Sequence, residues 1–472
     1  MTAALIDQIT HDLIAETDLG LADPPRRTIA AEQARLHVPG VSVALLDHGE
    51  IAWAQAFGVL DIGGSTPCDA QTVFQAASIS KPVNAALVLS LVDAGLLDLD
   101  VDVNTYLRSW QIPSVGDWQP RITLRQLLTH SAGLTVPGFG GYSPGSPIPT
   151  VPQVLSGSPP ANSAPVVVDT VPGLQYRYSG GGTTITQLVC MEVTGLPYPE
   201  LIRQRVLEPL GLTRSTFAQP LPSDWTANAA RGVDYRGLPI DGGWNIFPEL
   251  AAAGLWTTPT DLARFGLGLN RALATDGQFL SRASAQTMFT PHIAGDAGTL
   301  YSLGLGVYLS PIGGGTAYWH NGSNPGYKAD WIMFGQSGVG MVVMTSGDNG
   351  FMLAQSIMRA CARAYGWAGY QPPPRLRVYK PPVTRLGLYC GRFLVDDRLT
   401  LKVYAEGENL YAVFPGQPAV ALIPVTETLF SLPGLSSQID YKLDVASETF
   451  PELVIKQNGR TFTATRTPEI NP

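Results

Sequence analysis

Apolar positions recur along the chain with two periods, and the changes between them sketch its elements. Residues 5 to 36 follow a helical period, with a break near Asp23-Pro24-Pro25. Val41 to Leu45 and Ile51 to Trp53 alternate around the turn Asp47-His48-Gly49-Glu50, which predicts a β-hairpin with His48 as a polar turn residue. A nearly unbroken apolar run from Val83 to Val92 predicts a buried helix. Residues 122 to 134 read as a short helix with Thr123 as its N-cap and Gly133 as its stop. Further helices are expected over 183–193, 201–210, 261–269 (capped by Thr260) and 353–365. Strands are expected over 317–323, 328–334 and 339–345. Strands at both ends with helices between them predict a mixed sheet whose first and last segments pair.

Two stretches interrupt this pattern. From Thr135 to Gly173 the chain is rich in Pro, Gly and Ser without periodicity, the mark of a wall or lid beside a binding cleft. Asn245 to Trp256 is apolar and rich in small residues, which suits a tight internal crossing. Beyond the stiff, proline-rich linker at 371–383, short alternating segments predict a small antiparallel barrel over 384–472. The expected division is therefore 1–370, a linker at 371–383, and 384–472.

Bulk properties narrow the function. A length of 472 residues suggests two or three domains, and an apolar share of 45% supplies large cores. A net charge of −8 with no basic cluster argues against nucleic-acid binding. Cys68, Cys190, Cys361 and Cys390 are scattered, suggesting neither a disulfide framework nor a zinc site. The first residues lack a basic start followed by an apolar core, and no segment approaches eighteen apolar residues. The expectation is a cytoplasmic enzyme without signal peptide, membrane span, metal or organic cofactor.

Candidate chemistry centres on Ser78-Ile79-Ser80-Lys81, at the start of the apolar helix. A spacing of three puts both side chains on one helix face, where a desolvated lysine can take the serine proton. Lys81 is the only lysine before Lys328, in a region that uses arginine freely. Arginine cannot give up its proton and a buried lysine can. The plainer alternative is an arginine-biased composition with one surface lysine. Gly141-Tyr142-Ser143-Pro144-Gly145 matches the nucleophile-elbow pattern but lacks the strand and helix it requires, so Ser143 reads as a decoy. Tyr178, before Gly180-Gly181-Gly182 and a helix, is either a general acid or base or a core tyrosine. His130 reads as a structural histidine.

With Ser78/Lys81, Tyr178 and His320 in this order, residues 30 to 367 resemble the serine β-lactamase-like hydrolases. The nearest branch holds class C β-lactamases, D-aminopeptidases, DD-carboxypeptidases and esterases. Leu127-Leu128-Thr129-His130-Ser131-Ala132-Gly133-Leu134 resembles a signature of that family, and the tail resembles an appended lipocalin-like barrel. The implied fold is α/β (α+β), a β-lactamase/penicillin-binding-protein-like sheet flanked by helices plus the small barrel. The resemblance implies Ser78 as acylated nucleophile, Lys81 as the group easing its deprotonation, and Tyr178 as base in acylation and acid toward the leaving group. It implies that His320 joins the catalytic group on a strand lining the site, with Gly180, Asn321 and Gly322 as substrate-binding positions. The N–H groups of Ser78 and Ser323 would form an oxyanion hole, worth about 3 to 4 kcal/mol per donor.

Two departures set the substrate expectation. Gly180 stands where the family carries an asparagine that helps hold amide substrates, and His320 stands where it carries a carboxylate-binding lysine. Both favour esters or small D-aminoacyl amides and peptides over β-lactams. An acyltransferase or peptide cyclase using the same acyl-enzyme, and a catalytically silent sensor, are the alternatives.

Overall fold

Residues 40 to 58 form the predicted hairpin, Gly40–Asp47 paired antiparallel with Glu50–Gly58. The computed structural model describes residues 3–15, 27–277, 279–312, 315–367, 369, 372, 375, 377–395, 399–415, 419–432, 437–457 and 460–467. Strand Gly40–Asp47 is apolar at nearly every position because it lies inside a sheet. Its other neighbour is Gly340–Thr345, so the first and last strands pair, with Val41 opposite Thr345 and Leu46 opposite Gly340. The sheet continues through Tyr327–Phe334, Gly315–Asn324, Tyr308–Ile312, Ser302–Leu303 and Ile293–Ala294. Every described pairing in this sheet is antiparallel, which corrects the expectation of a mixed sheet. The intervening helices return the chain to the sheet without a parallel crossover. Helices Pro259–Ala274 and Gly350–Ala364 pack on the central strands.

Helix Ser80–Asp93 is buried from Ser80 to Leu91, as its all-round apolar sequence requires. Pro82 sits in its first turn, where a missing N–H costs nothing. A polar tie fixes this helix to helix Gly180–Thr194. Asn84 Nδ2 donates to Thr186 Oγ1 at 2.8 Å, and the fully buried Tyr198 hydroxyl donates to Asn84 Oδ1 at 3.0 Å.

Several expected boundaries move, for local reasons. Thr123 caps its helix as expected, with Gln126 completing a reciprocal capping box, yet the helix ends at Leu128 rather than running to Gly133. His130 then takes a left-handed φ of 53°. The stretch 135–173 contains a short helix, Val151–Ser156, capped by Thr150. The helix after Tyr178 begins at Gly180, because Ser179 rather than a later residue accepts the Gly182 N–H. Thr258, not Thr260, caps helix Pro259–Ala274. The expected helix at 201–210 starts at Tyr198 and widens over Arg203–Leu207. The expected break at Pro24-Pro25 lies outside the described residues, as does part of the linker at 371–383.

The chain divides into two compact units: Met1–His11 with Thr28–Asp296 and Leu300–Tyr370, and Asp12–Arg27 with Ala297–Thr299 and Gln371–Pro472. The second unit holds a closed antiparallel barrel running from Gly391–Val395 to Arg460–Arg466, where Phe393 pairs with Arg466. Its first expected strand opens as a helical turn, Leu386–Tyr389. Phe393, Leu401, Phe430, Ile439, Tyr441 and Phe450 fill the interior, with Tyr389 and Phe450 stacked at 4.9 Å. Eight strands enclose about the width such side chains fill, so this barrel is packed rather than hollow.

The Asn84 tie predicts a stability effect. Asn84→Ala leaves the Tyr198 hydroxyl buried without its acceptor, and should lower the unfolding free energy of the first unit by about 2–3 kcal/mol. Denaturant unfolding at constant m-value measures it. A loss under about 0.5 kcal/mol would show that the tie is dispensable.

Candidate active site

The turn that carries Ser78 is held from several sides. Ala77–Ile79 form one tight helical turn before Ser80, and buried Ala77 sits at φ 49°, a conformation that non-glycine residues rarely adopt. Such strain persists only where surroundings over-determine it. Here the Ala76 N–H donates to the Leu255 carbonyl at 2.9 Å, and the Leu255 N–H donates to Ser80 Oγ at 3.0 Å. Strand Gly315–Asn324 packs against the same turn, and a Cβ on Gly322 would lie 2.1 Å from the Ala76 carbonyl oxygen. Only glycine permits that approach. Asn324 completes the frame, its Nδ2 donating to Gln75 Oε1 at 2.7 Å and to the Ala253 carbonyl at 3.2 Å.

Lys81 lies one turn below Ser78, with its Nζ 2.9 Å from Ser78 Oγ and 2.9 Å from the Ala252 carbonyl. The side chain is 3% exposed, and among the described residues no carboxylate pairs with it. Burial disfavours the ammonium and lowers its pKa to about 7. An amine that donates to Ala252 keeps a lone pair for the Ser78 proton.

Tyr178 stands over this pair, its ring centroid 4.9 Å from Lys81 Nζ. Burial raises the phenol above its ordinary value, outweighing the influence of the nearby Ser78 hydroxyl, which lowers it. The residue as a whole keeps some exposure although its hydroxyl is desolvated. The group is therefore a neutral phenol, suited to giving a proton rather than holding a negative charge.

His320 is buried, and its ring centroid lies 6.3 Å from that of Tyr178. Its Nδ1 lies 2.6 Å from the Asn321 carbonyl, which can only accept, so the proton is on Nδ1 and Nε2 keeps a lone pair. Burial, then the nearby Lys81 charge, lowers its pKa to about 3. His320 is thus neutral and cannot act as the cation that binds a carboxylate. Tyr308 packs on it at 5.1 Å, and Tyr308 stacks on Trp319 at 4.4 Å. Arg177, next to Tyr178 in sequence, is tied to Asp169.

The structure brings Ser78, Lys81, Tyr178 and His320 together, with Gly322 at the closest strand crossing. Asn321 and Ser323 are exposed on the same strand. Gly180 is buried, and a Cβ there would meet Phe139 and the Pro137 carbonyl at 3.1 Å, so a side chain fits only if Phe139 or the loop shifts. Ser143 lies in a turn with neither strand nor long helix beside it. Among the described residues no cluster of three or more His, Cys, Asp or Glu could hold a metal, and no helix is long and apolar enough to cross a membrane.

Three features escaped sequence reasoning. The Ala252 carbonyl is backbone and leaves no mark in residue identity. The stretch 245–256 does form a tight crossing, with helix Leu250–Ala253 packed on helix Ser80–Asp93, but its polar contribution was invisible. Glu249, which opens that helix, is fully buried, and neither carboxyl oxygen finds a partner among the described residues. His130, expected to be structural, lies against Tyr178 with ring centroids 4.3 Å apart.

Comparison with known proteins agrees with this geometry. The Beta-lactamase family pattern matches residues 25–361. The chain belongs to the Beta-lactamase family. Penicillin-binding protein 4* of Bacillus subtilis is 23% identical over 459 residues, covering 90% of this chain and 94% of its own. Esterase EstB of Burkholderia gladioli is 25% identical over 334 residues, covering 67% and 81%. The D-amino acid amidase of Ochrobactrum anthropi SV3 shares the fold, with a TM-score of 0.57 at 23% identity over 77% of this chain and 99% of the other. This Beta-lactamase-family chain is a serine hydrolase, with a closed eight-stranded barrel near its C-terminal end.

Glu249 generates a prediction with a definite sign. Burial raises its pKa from 4.5 to about 7. Between those values the folded state keeps a proton that the unfolded chain has lost, so stability falls as pH rises through the window and levels off above about 7. The stability of Glu249→Gln relative to wild type should therefore grow by about 3 kcal/mol between pH 4.5 and pH 8. Denaturant unfolding at both pH values reads it. A difference that does not change with pH would mean that Glu249 is ionised and partnered.

Proposed function

We propose that this enzyme hydrolyses carboxylic esters, or small D-aminoacyl amides and peptides, through an acyl-Ser78 intermediate, with weak or no β-lactamase activity. The observation that carries the reading is the buried Lys81 amine, 2.9 Å from Ser78 Oγ and with its pKa lowered to about 7. A general base works best when its pKa lies near the working pH.

In acylation Ser78 Oγ attacks the carbonyl carbon and its proton passes to Lys81 Nζ. The tetrahedral oxyanion is met by the N–H groups of Ser78 and Ser323. Its collapse breaks the bond to the leaving group, which takes the Tyr178 proton, and the Lys81 ammonium beside the ring returns its proton to the phenolate. Water then attacks the acyl-enzyme by the same path in reverse. Lys81 thereby takes the base role expected of Tyr178, because burial holds the phenol neutral.

Substrate choice follows from charge. With His320 neutral and Arg177 engaged by Asp169, a carboxylate beside the scissile bond meets no free cation in this constellation. Cephalosporins and peptides ending in a free carboxylate are disfavoured, and uncharged leaving groups suit the site. The relative named Esterase EstB agrees with that preference.

Brief exposure to p-nitrophenyl acetate, a D-alanine amide and a cephalosporin, followed by intact-protein mass spectrometry, tests the nucleophile. The ester or amide should leave an adduct on wild type that Ser78→Ala lacks, and turnover by Ser78→Ala would sink the assignment. In steady state kcat/KM for the ester should rise through about pH 7 and then level off. Lys81→Arg, which cannot give up its proton, should lose about a thousandfold or more. Retention of the same pH profile in Lys81→Arg would refute Lys81 as the base.

A further inference from the structure

His130 has three contacts with the segment that carries Tyr178, and all converge on one side chain. Its carbonyl accepts the Arg177 N–H at 2.7 Å, and its ring Nδ1 accepts the Ser179 N–H at 3.2 Å. The two bonds straddle Tyr178. Between them the imidazole lies against the Tyr178 ring, centroid to centroid at 4.3 Å with 38° between planes. Backbone strain accompanies the arrangement, since His130 is buried with a left-handed φ of 53°. A non-glycine residue held there needs compensating contacts, and these hydrogen bonds supply them.

We propose that His130 is a positioning residue for Tyr178, fixing the phenol over Ser78 by clamping the backbone on either side of it. This rests on the reading of Tyr178 as the acid that protonates the leaving group. The clamp requires a neutral ring. An N–H donor must meet a lone pair, so Nδ1 is unprotonated and the proton is on Nε2, opposite to His320. A protonated ring would turn one donor upon another and release Ser179. Burial, then the charge of Lys81 and the proximity of His320, disfavour that state. The rest of the clamp is already rigid: Ser179 Oγ donates to the Thr135 carbonyl at 2.7 Å and accepts the Gly182 N–H at 2.9 Å. His130 thus completes a fixed cradle whose one free element is the Tyr178 side chain.

Replacements separate acceptor from ring. Asparagine tolerates the left-handed backbone and can place an oxygen near the Nδ1 position, but has no ring face. Phenylalanine keeps the ring face and lacks the acceptor. A misplaced acid is felt most by poor leaving groups, which depart only when protonated, and least by p-nitrophenolate.

The test compares p-nitrophenyl acetate with ethyl acetate, which share an acyl group, for wild type, H130A, H130N, H130F, Y178F and H130A/Y178F. Y178F should lose about a hundredfold or more in kcat on ethyl acetate, and about tenfold or less on p-nitrophenyl acetate. H130A should show the same bias at about tenfold on ethyl acetate, with KM within about twofold. In the Y178F background H130A should cost nothing further on ethyl acetate, because the residue acts through the phenol. H130N should recover part of the loss and H130F less. If H130A does not fold, H130N and H130F carry the comparison. Equal losses on both substrates, or a full H130A loss in the Y178F background, would overturn the proposal. A Y178F variant without leaving-group bias would instead overturn the role of Tyr178 and remove the basis for the clamp.

Discussion

Everything in the site depends on taking one amine out of water. Lys81 sits at the start of a helix buried all round, and burial brings its pKa close to neutrality without an opposing carboxylate. A carboxylate partner would favour the ammonium and cancel the effect. The Ala252 carbonyl satisfies a donor while adding no charge, so the amine is held and still free to accept a proton. The surrounding scaffold serves that arrangement. Asn84 ties the Lys81 helix to the helix that follows Tyr178, and Gly322 lets the strand edge reach the strained turn at Ala77.

Neutrality extends outward from the lysine. His130 and His320 carry opposite tautomers, each fixed by a backbone partner, and the Lys81 charge opposes protonation of both. Tyr178 is kept as a phenol by the same desolvation. On the proposed reading, a site built of neutral groups suits neutral substrates, since no fixed cation in this constellation awaits a carboxylate. Members of a family can therefore share a nucleophile and diverge in substrate through the charge state of one strand residue.

Much of this was legible in the sequence. The serine and lysine three apart, the lone lysine among arginines, the hairpin, and the alternation of the barrel are local patterns with local causes. Tyr178 kept two readings and His320 had none until the resemblance, because nothing in their neighbours specifies what they face. What stayed hidden was relational. The Ala252 carbonyl is a backbone atom, Glu249 reads like any surface glutamate, and His130 reads as a satisfied core histidine until its two bonds are seen to straddle Tyr178. The expected mixed sheet failed because strand direction depends on how the helices return the chain, which periodicity does not encode. Helix starts at Thr258 and Ser179 slipped where several adjacent residues could serve as caps.

The central claim is that Lys81 gives up its proton near neutral pH, and it can be observed directly. The chain has six lysines, so ¹³Cε-labelled lysine gives a short, assignable NMR spectrum, with Lys81→Met identifying the signal of interest. The account predicts one resonance titrating near pH 7, absent from Lys81→Met, while the other lysines titrate in their usual range near about 10.4. A Lys81 resonance that titrates with the others would contradict it, and Ser78 would then need another base.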